Sequence, residues 1–230
     1  IYLRGDVILL SWFQKFEEVG LYGAAYRVID ILGQTAMMMM GVILPLLAFA
    51  WAQGKKKEFK KQYQQAFDAM MLFAVPVTIG TIILAKKIMV FVAGPEFIGA
   101  GLPLQILAIA VFGVYFGAIF GHTAVAIDKQ KQTMWVYISN AIISLVAYLY
   151  FIPRFGMLGA AWVTVFSEIY AGFFLFLVIS HYTKEALNYR TLFKFFFSAA
   201  VMAGILVLIP NLHVIALALL GAAVYGIMII

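Results

Sequence analysis

Long apolar runs separated by short polar breaks dominate this chain. Eight runs are long enough, or nearly so, to be helices crossing a bilayer, which takes about 20 mostly apolar residues each. They cover residues 1–13, 20–52, 66–92, 99–127, 132–152, 157–181, 191–209 and 212–230. The breaks carry ordinary helix-ending chemistry. Gln53 and Gly54 precede a lysine run, and Gly94 and Pro95 end the third run. Asp128 to Lys131, Pro153 to Gly156, His181 to Arg190, and Pro210 with Asn211 supply the rest. The second run is longer than a bilayer requires and holds Gly33, Gly41 and Pro45, which predicts a tilted or kinked helix reaching out of the membrane.

Apolar continuity decides the class. Strands of a membrane barrel alternate apolar and polar residues with period two, whereas residues 106–120 and 142–152 are almost unbroken apolar sequence. In lipid, backbone polar groups must be satisfied within each segment, so an all-α polytopic membrane protein is expected. Composition agrees: 65% of residues are hydrophobic, 11% are charged, and the mean hydropathy is +1.02. A water-soluble domain of this length could not hide so much apolar surface. The chain has no cysteine, which excludes disulfides and thiolate metal sites. It starts at Ile1 and stops inside an apolar run, so it reads as a piece of a longer protein.

Charge sets the expected orientation. Loops on one side carry Lys55, Lys56, Lys57, Lys60, Lys61, Lys129, Lys131, Lys184, Arg190 and Lys194; loops on the other carry only Lys15, Lys86, Lys87 and Arg154. The positive-inside bias puts the first group in the cytoplasm. The net charge of +6 then reflects this bias and contact with anionic membrane lipid, not nucleic acid. Residues 54–67, GKKKEFKKQYQQAF, mix lysines with Phe59, Tyr63 and Phe67, a spacing that suits a helix lying at the interface before turning into the bilayer.

Several local patterns, in order, resemble one family. GDVILLSWF at Gly5–Phe13 is followed by VGLYGAAYRVI at 19–29. FVAGPEFIGAGLPLQILAIAVF occupies 91–112, AIDKQKQT 126–133, and FIPRFGMLGAAWVTVFSE 151–168. Together they resemble the polysaccharide flippases of the multidrug/oligosaccharidyl-lipid/polysaccharide exporter superfamily, the O-antigen and teichuronic-acid type exporters, over about residues 5–182. The resemblance implies that residues 1–182 form a C-terminal six-helix lobe whose first helix is truncated. Residues 183–230 would add two further helices, and an N-terminal lobe would be missing. It implies alternating access, a plasma-membrane location and a lipid-linked oligosaccharide as cargo. A lone lobe should then expose a large apolar groove.

Ionisable groups inside a membrane are costly and usually face a cavity or a partner. Arg27 lies three residues before Asp30 on one helical face. It can face the central cavity and hold the cargo's pyrophosphate, because guanidinium stays charged and donates in a fork. It can equally form an internal pair with Asp30. Tyr22 and Tyr26 are candidates for stacking on sugars. Asp6 occupies an acidic position common in the resembled family and can bind a coupling cation or pair with Arg27. Glu168 can titrate in ion coupling or make an interhelical hydrogen bond. Arg4 is expected to snorkel to the interface, and His122 to be a packing residue. The glycine series 113, 117 and 121 permits close helix approach.

No metal-ligand spacing, phosphate-binding loop or nucleophile–base arrangement occurs, so neither cofactor nor enzymatic activity is expected. Two other functions stand beside the flippase. A cation-coupled multidrug exporter of the same superfamily would present carboxylates inward where a flippase presents arginine. A membrane-embedded glycosyltransferase or polymerase would need a large external loop, and these loops are short.

Overall fold

A computed structural model describes residues 5–229; Arg4 and its expected place at the interface lie outside the described residues. These residues are helical almost throughout. In chain order they form α1 (Gly5–Phe13), α2 (Phe16–Ala52), α3 (Lys56–Ala93), a short 3-10 helix (Pro95–Ala100) and α4 (Gly101–Ala126). They continue with α5 (Gln130–Thr183), α6 (Arg190–Leu208) and α7 (Val214–Ile229). Five of these stretches are long and apolar enough to cross a membrane, and α7 is a shorter apolar helix.

The 54 residues of α5 are two helices. Gly156 has φ 56° and ψ −138°, a conformation that L side chains avoid. Partners across the bend show that the chain reverses there. Tyr148 meets Thr164, Asn140 meets Ser167, Ser139 meets Tyr170, and Trp135 meets Phe174. Such paired numbers, rising on one arm as they fall on the other, define an antiparallel hairpin with arms 130–155 and 157–183. With that division the eight expected segments are all present.

The lysine-rich stretch departs from expectation. It does not lie apart at the interface; it forms the first turns of one continuous α3 of 38 residues. At 1.5 Å per residue α3 is about 57 Å long, well beyond a hydrocarbon core of about 30 Å. The reason is packing. Phe59, Tyr63 and Phe67 are buried on one stripe, against Trp51, Phe120 and Tyr189, while Lys56, Lys57, Lys60 and Lys61 stay exposed. That aromatic stripe accompanies a helix that continues unbroken past the expected turn.

Small residues set the helix spacing. A Cβ added at Gly113 would sit 2.9 Å from the Cβ of Glu168, and one at Gly117 would sit 3.4 Å from the Cα of Gly172. The parallel offset is constant, so α4 runs alongside the second arm of α5 with backbones nearly touching. The α6–α7 hairpin is fastened to α3 at three levels. Gln64 and Asn188 exchange hydrogen bonds at the lysine-rich end of α3, Tyr225 donates to the Leu72 carbonyl in the middle, and Lys87 donates to the carbonyls of Pro210 and Leu212 towards the opposite end. Outward faces carry exposed Ile31, Met38, Val42, Phe166, Phe193 and Phe197, a surface suited to lipid or to another apolar body.

Candidate functional site

A cavity of about 910 Å³ opens between α1, α2, α4 and both arms of α5. Helical periodicity explains which residues reach it. Tyr26, Asp30, Gly33 and Met37 recur every three or four positions on α2, as do Tyr137, Asn140, Ser144 and Tyr148 on the first arm of α5. Thr164, Ser167 and Glu168 complete the wall from the second arm, and Asp6 from α1. A second cavity of about 370 Å³ extends along α4 past Gly117, Gly121 and His122, and shares Met37, Val114, Tyr137, Asn140, Ser167 and Glu168 with the first. The two are compartments of one cleft. The expected groove is there, but its wall is richer in hydroxyl, amide and carboxyl groups than an apolar groove would be.

Hydrogen bonds order this wall. The buried Tyr22 hydroxyl donates to Oδ2 of Asp6 at 2.7 Å and lies 3.2 Å from the Thr164 hydroxyl. Thr164 is also 2.9 Å from the Tyr148 hydroxyl, so α1, α2 and both arms of α5 meet in one polar knot. Lower down, Asn140 donates to Ser167 at 3.0 Å and accepts from Ser144 at 3.2 Å. Each bond spares a polar group from being buried unsatisfied.

The residues singled out in the sequence are distributed unevenly. Asp6, Tyr26, Asp30 and Glu168 line the cleft. Tyr22 is fully buried behind it, with its hydroxyl engaged by Asp6 and Thr164. Arg27 is exposed on the adjoining face of α2, in line with Ile31, Met38 and Val42, and takes part in neither ion pair formed among the described residues, Lys55–Glu58 and Lys60–Glu185. Glu168 accepts no interhelical hydrogen bond within the described residues. His122 places Nδ1 2.8 Å from the Ala118 carbonyl oxygen and lines the smaller compartment, the inner one in the orientation expected from the lysines, the larger being the outer. Sequence reasoning missed Tyr137, Asn140, Ser144 and Tyr148, although their spacing of three, four and four was a visible polar stripe in an apolar run.

A body of long apolar helices around a cleft that sets polar groups among apolar ones is a multi-pass membrane protein. Comparison with known proteins narrows this. Residues 1–100 match a family model described as polysaccharide biosynthesis protein. An uncharacterized membrane protein of Methanocaldococcus jannaschii is 24% identical over 91% of this chain and 40% of its own length. The probable low-salt glycan biosynthesis flippase Agl15 of Haloferax volcanii is 23% identical over 87% of this chain and 43% of its own. In fold, the chain is similar to the lipid II flippase MurJ in an inward closed conformation, with a TM-score of 0.82 at 16% identity, over 97% of this chain and 48% of that one. The chain is thus similar to polysaccharide biosynthesis membrane proteins over its first 100 residues and to a lipid II flippase in fold, and it spans less than half the length of these relatives.

Proposed function

We propose that the protein is a flippase that moves a lipid-linked oligosaccharide or polysaccharide precursor across the plasma membrane by alternating access. This chain would supply one lobe, residues 1–182, with residues 183–230 as two additional helices; a second lobe would close the cleft, and no covalent chemistry would be involved. One observation carries the reading: a cleft of about 910 Å³ inside an otherwise apolar helical body sets hydroxyl, amide, carboxyl and tyrosine groups among its apolar side chains. A sugar chain needs such a wall, since its hydroxyls lose water on entering and must find replacement partners. Tyr26 lies in that wall, and Tyr22 holds Asp6 in place behind it. We assign Arg27, exposed on α2 beside Tyr26, to the cargo's pyrophosphate at the seam with the second lobe. The test is reconstitution of the complete transporter with a fluorescent lipid-linked sugar. Leaflet exchange above that of protein-free vesicles is expected, with a loss in Arg27→Ala; exchange at the protein-free rate ends the proposal.

A second reading draws on the carboxylates. Asp6, Asp30 and Glu168 all line the cleft, as a site for cationic cargo would require. Extrusion of a fluorescent organic cation by the same proteoliposomes, without movement of the lipid-linked sugar, would favour this multidrug-exporter reading.

A further inference from the structure

Glu168 stands where the two compartments of the cleft meet and lines both. It lies twelve residues beyond the Gly156 turn, hence about 18 Å into the membrane along its helix. The backbone of α4 presses against its stem, since a Cβ at Gly113 would fall 2.9 Å from the Glu168 Cβ and 3.1 Å from its carbonyl carbon. That contact leaves the carboxyl group only the cleft to occupy.

Its neighbours have other engagements. Asn140 is turned to Ser167 and Ser144, and Thr164 to Tyr22 and Tyr148. Asp6, Tyr26, Asp30 and Tyr137 each have an interaction of their own. Glu168 accepts no hydrogen bond and joins no ion pair among the described residues. Glu168 is half-buried, and a carboxylate at such a depth in an apolar helical body, without a donor, is costly and is relieved by a proton or a cation. The titratable groups facing the same cleft are Asp6 from α1, Tyr26 and Asp30 from α2, His122 from α4, and Tyr137 and Tyr148 from α5. Two of these are further carboxyls, so a proton on Glu168 also relieves repulsion between like charges.

His122 gives the inner compartment a proton acceptor. The Ala118 carbonyl can only accept, so the Nδ1 that approaches it carries hydrogen, and in the neutral ring Nε2 then has the lone pair. We propose that Glu168 is a reversible proton-binding site, reached from the outer compartment on one side and past His122 from the inner compartment on the other. The step is Glu168 carboxylate plus one proton giving the neutral acid, with water in whichever compartment is open as source or sink. This rests on the transporter reading and gives that transporter its coupling ion.

Two measurements on the intact protein test it. Infrared difference spectra between low and high pH, recorded in nanodiscs, should contain a protonated-carboxyl carbonyl band that disappears in Glu168→Gln. In proteoliposomes, an imposed pH gradient should accelerate wild-type transport, and Glu168→Gln should lose that acceleration while Glu168→Asp keeps part of it. An unchanged band in Glu168→Gln, full gradient dependence in that variant, or replacement of the proton effect by a sodium gradient would overturn the assignment. Failure of the wild type to move cargo would defeat the flippase reading and leave the infrared result standing. Size-exclusion profiles of both variants check that they fold.

Discussion

The Tyr225 hydroxyl of α7 donates to the Leu72 carbonyl of α3 at 3.0 Å, and Leu72 stands four residues before Pro76. Proline has no N–H, so the helix cannot satisfy that carbonyl itself. Tyr225 supplies the missing donor from a neighbouring helix, which is how membrane helices accommodate proline. Removing it in Tyr225→Phe should cost about 0.5–1.5 kcal/mol in unfolding measurements in mixed micelles. Pro76→Ala restores the internal donor. In that background Tyr225→Phe should cost clearly less, and equal costs in both backgrounds would show that the bond does not compensate for the proline.

The turn at Gly156 joins backbone conformation to a polar contact. Its φ of 56° strains any L side chain, and an added Cβ would meet Oε2 of Glu18 at 2.4 Å. Glu18 also accepts from the Met157 N–H at 3.3 Å, while Gln14 donates to the Ile152 carbonyl at 3.0 Å, so the α1–α2 corner is seated on the α5 turn. Gly156→Ala should destabilise by about 1–3 kcal/mol from backbone strain alone. Adding Glu18→Ala should recover only the steric part, which a thermal unfolding series would resolve.

Close approach of α4 and α5 makes a sharp contrast between two glycines. Gly113→Ala forces its new methyl against the Glu168 backbone and should cost about 1–3 kcal/mol. Gly204→Ala in α6 meets nothing within 4 Å and should be neutral or stabilising, by up to about 1 kcal/mol from helix propensity. Parallel unfolding of the two variants separates packing from propensity.

Topology can be read chemically, because the chain contains no cysteine. Lys57→Cys at the exposed start of α3 should react with a membrane-impermeant maleimide only in inside-out vesicles. Glu96→Cys, exposed in the short 3-10 helix after α3, should react only in right-side-out vesicles. The reverse pattern would invert the orientation drawn from the lysines.

What the sequence determined by itself is the solvent and the segments. Burying apolar side chains in lipid is a property of each run alone, so Ile106 to Phe120 or Ile142 to Ile152 announce themselves without knowledge of any neighbour. Even the Gly156 reversal was marked, by Pro153 and the glycine after Phe155. Tertiary structure decided what depends on rotation and register. Whether Arg27 or Tyr26, adjacent in sequence, faces the cleft turns on a 100° difference around α2 that only packing against α4 and α5 resolves. Whether Tyr22 holds cargo or holds Asp6 depends on an α1 carboxylate sixteen residues away in sequence. The lysine-rich stretch ran on as unbroken helix because Phe59, Tyr63 and Phe67 found partners on other helices, and no local pattern names a partner. Segment identity is written in local energetics; the face each segment turns inward is set by contacts between residues far apart along the chain.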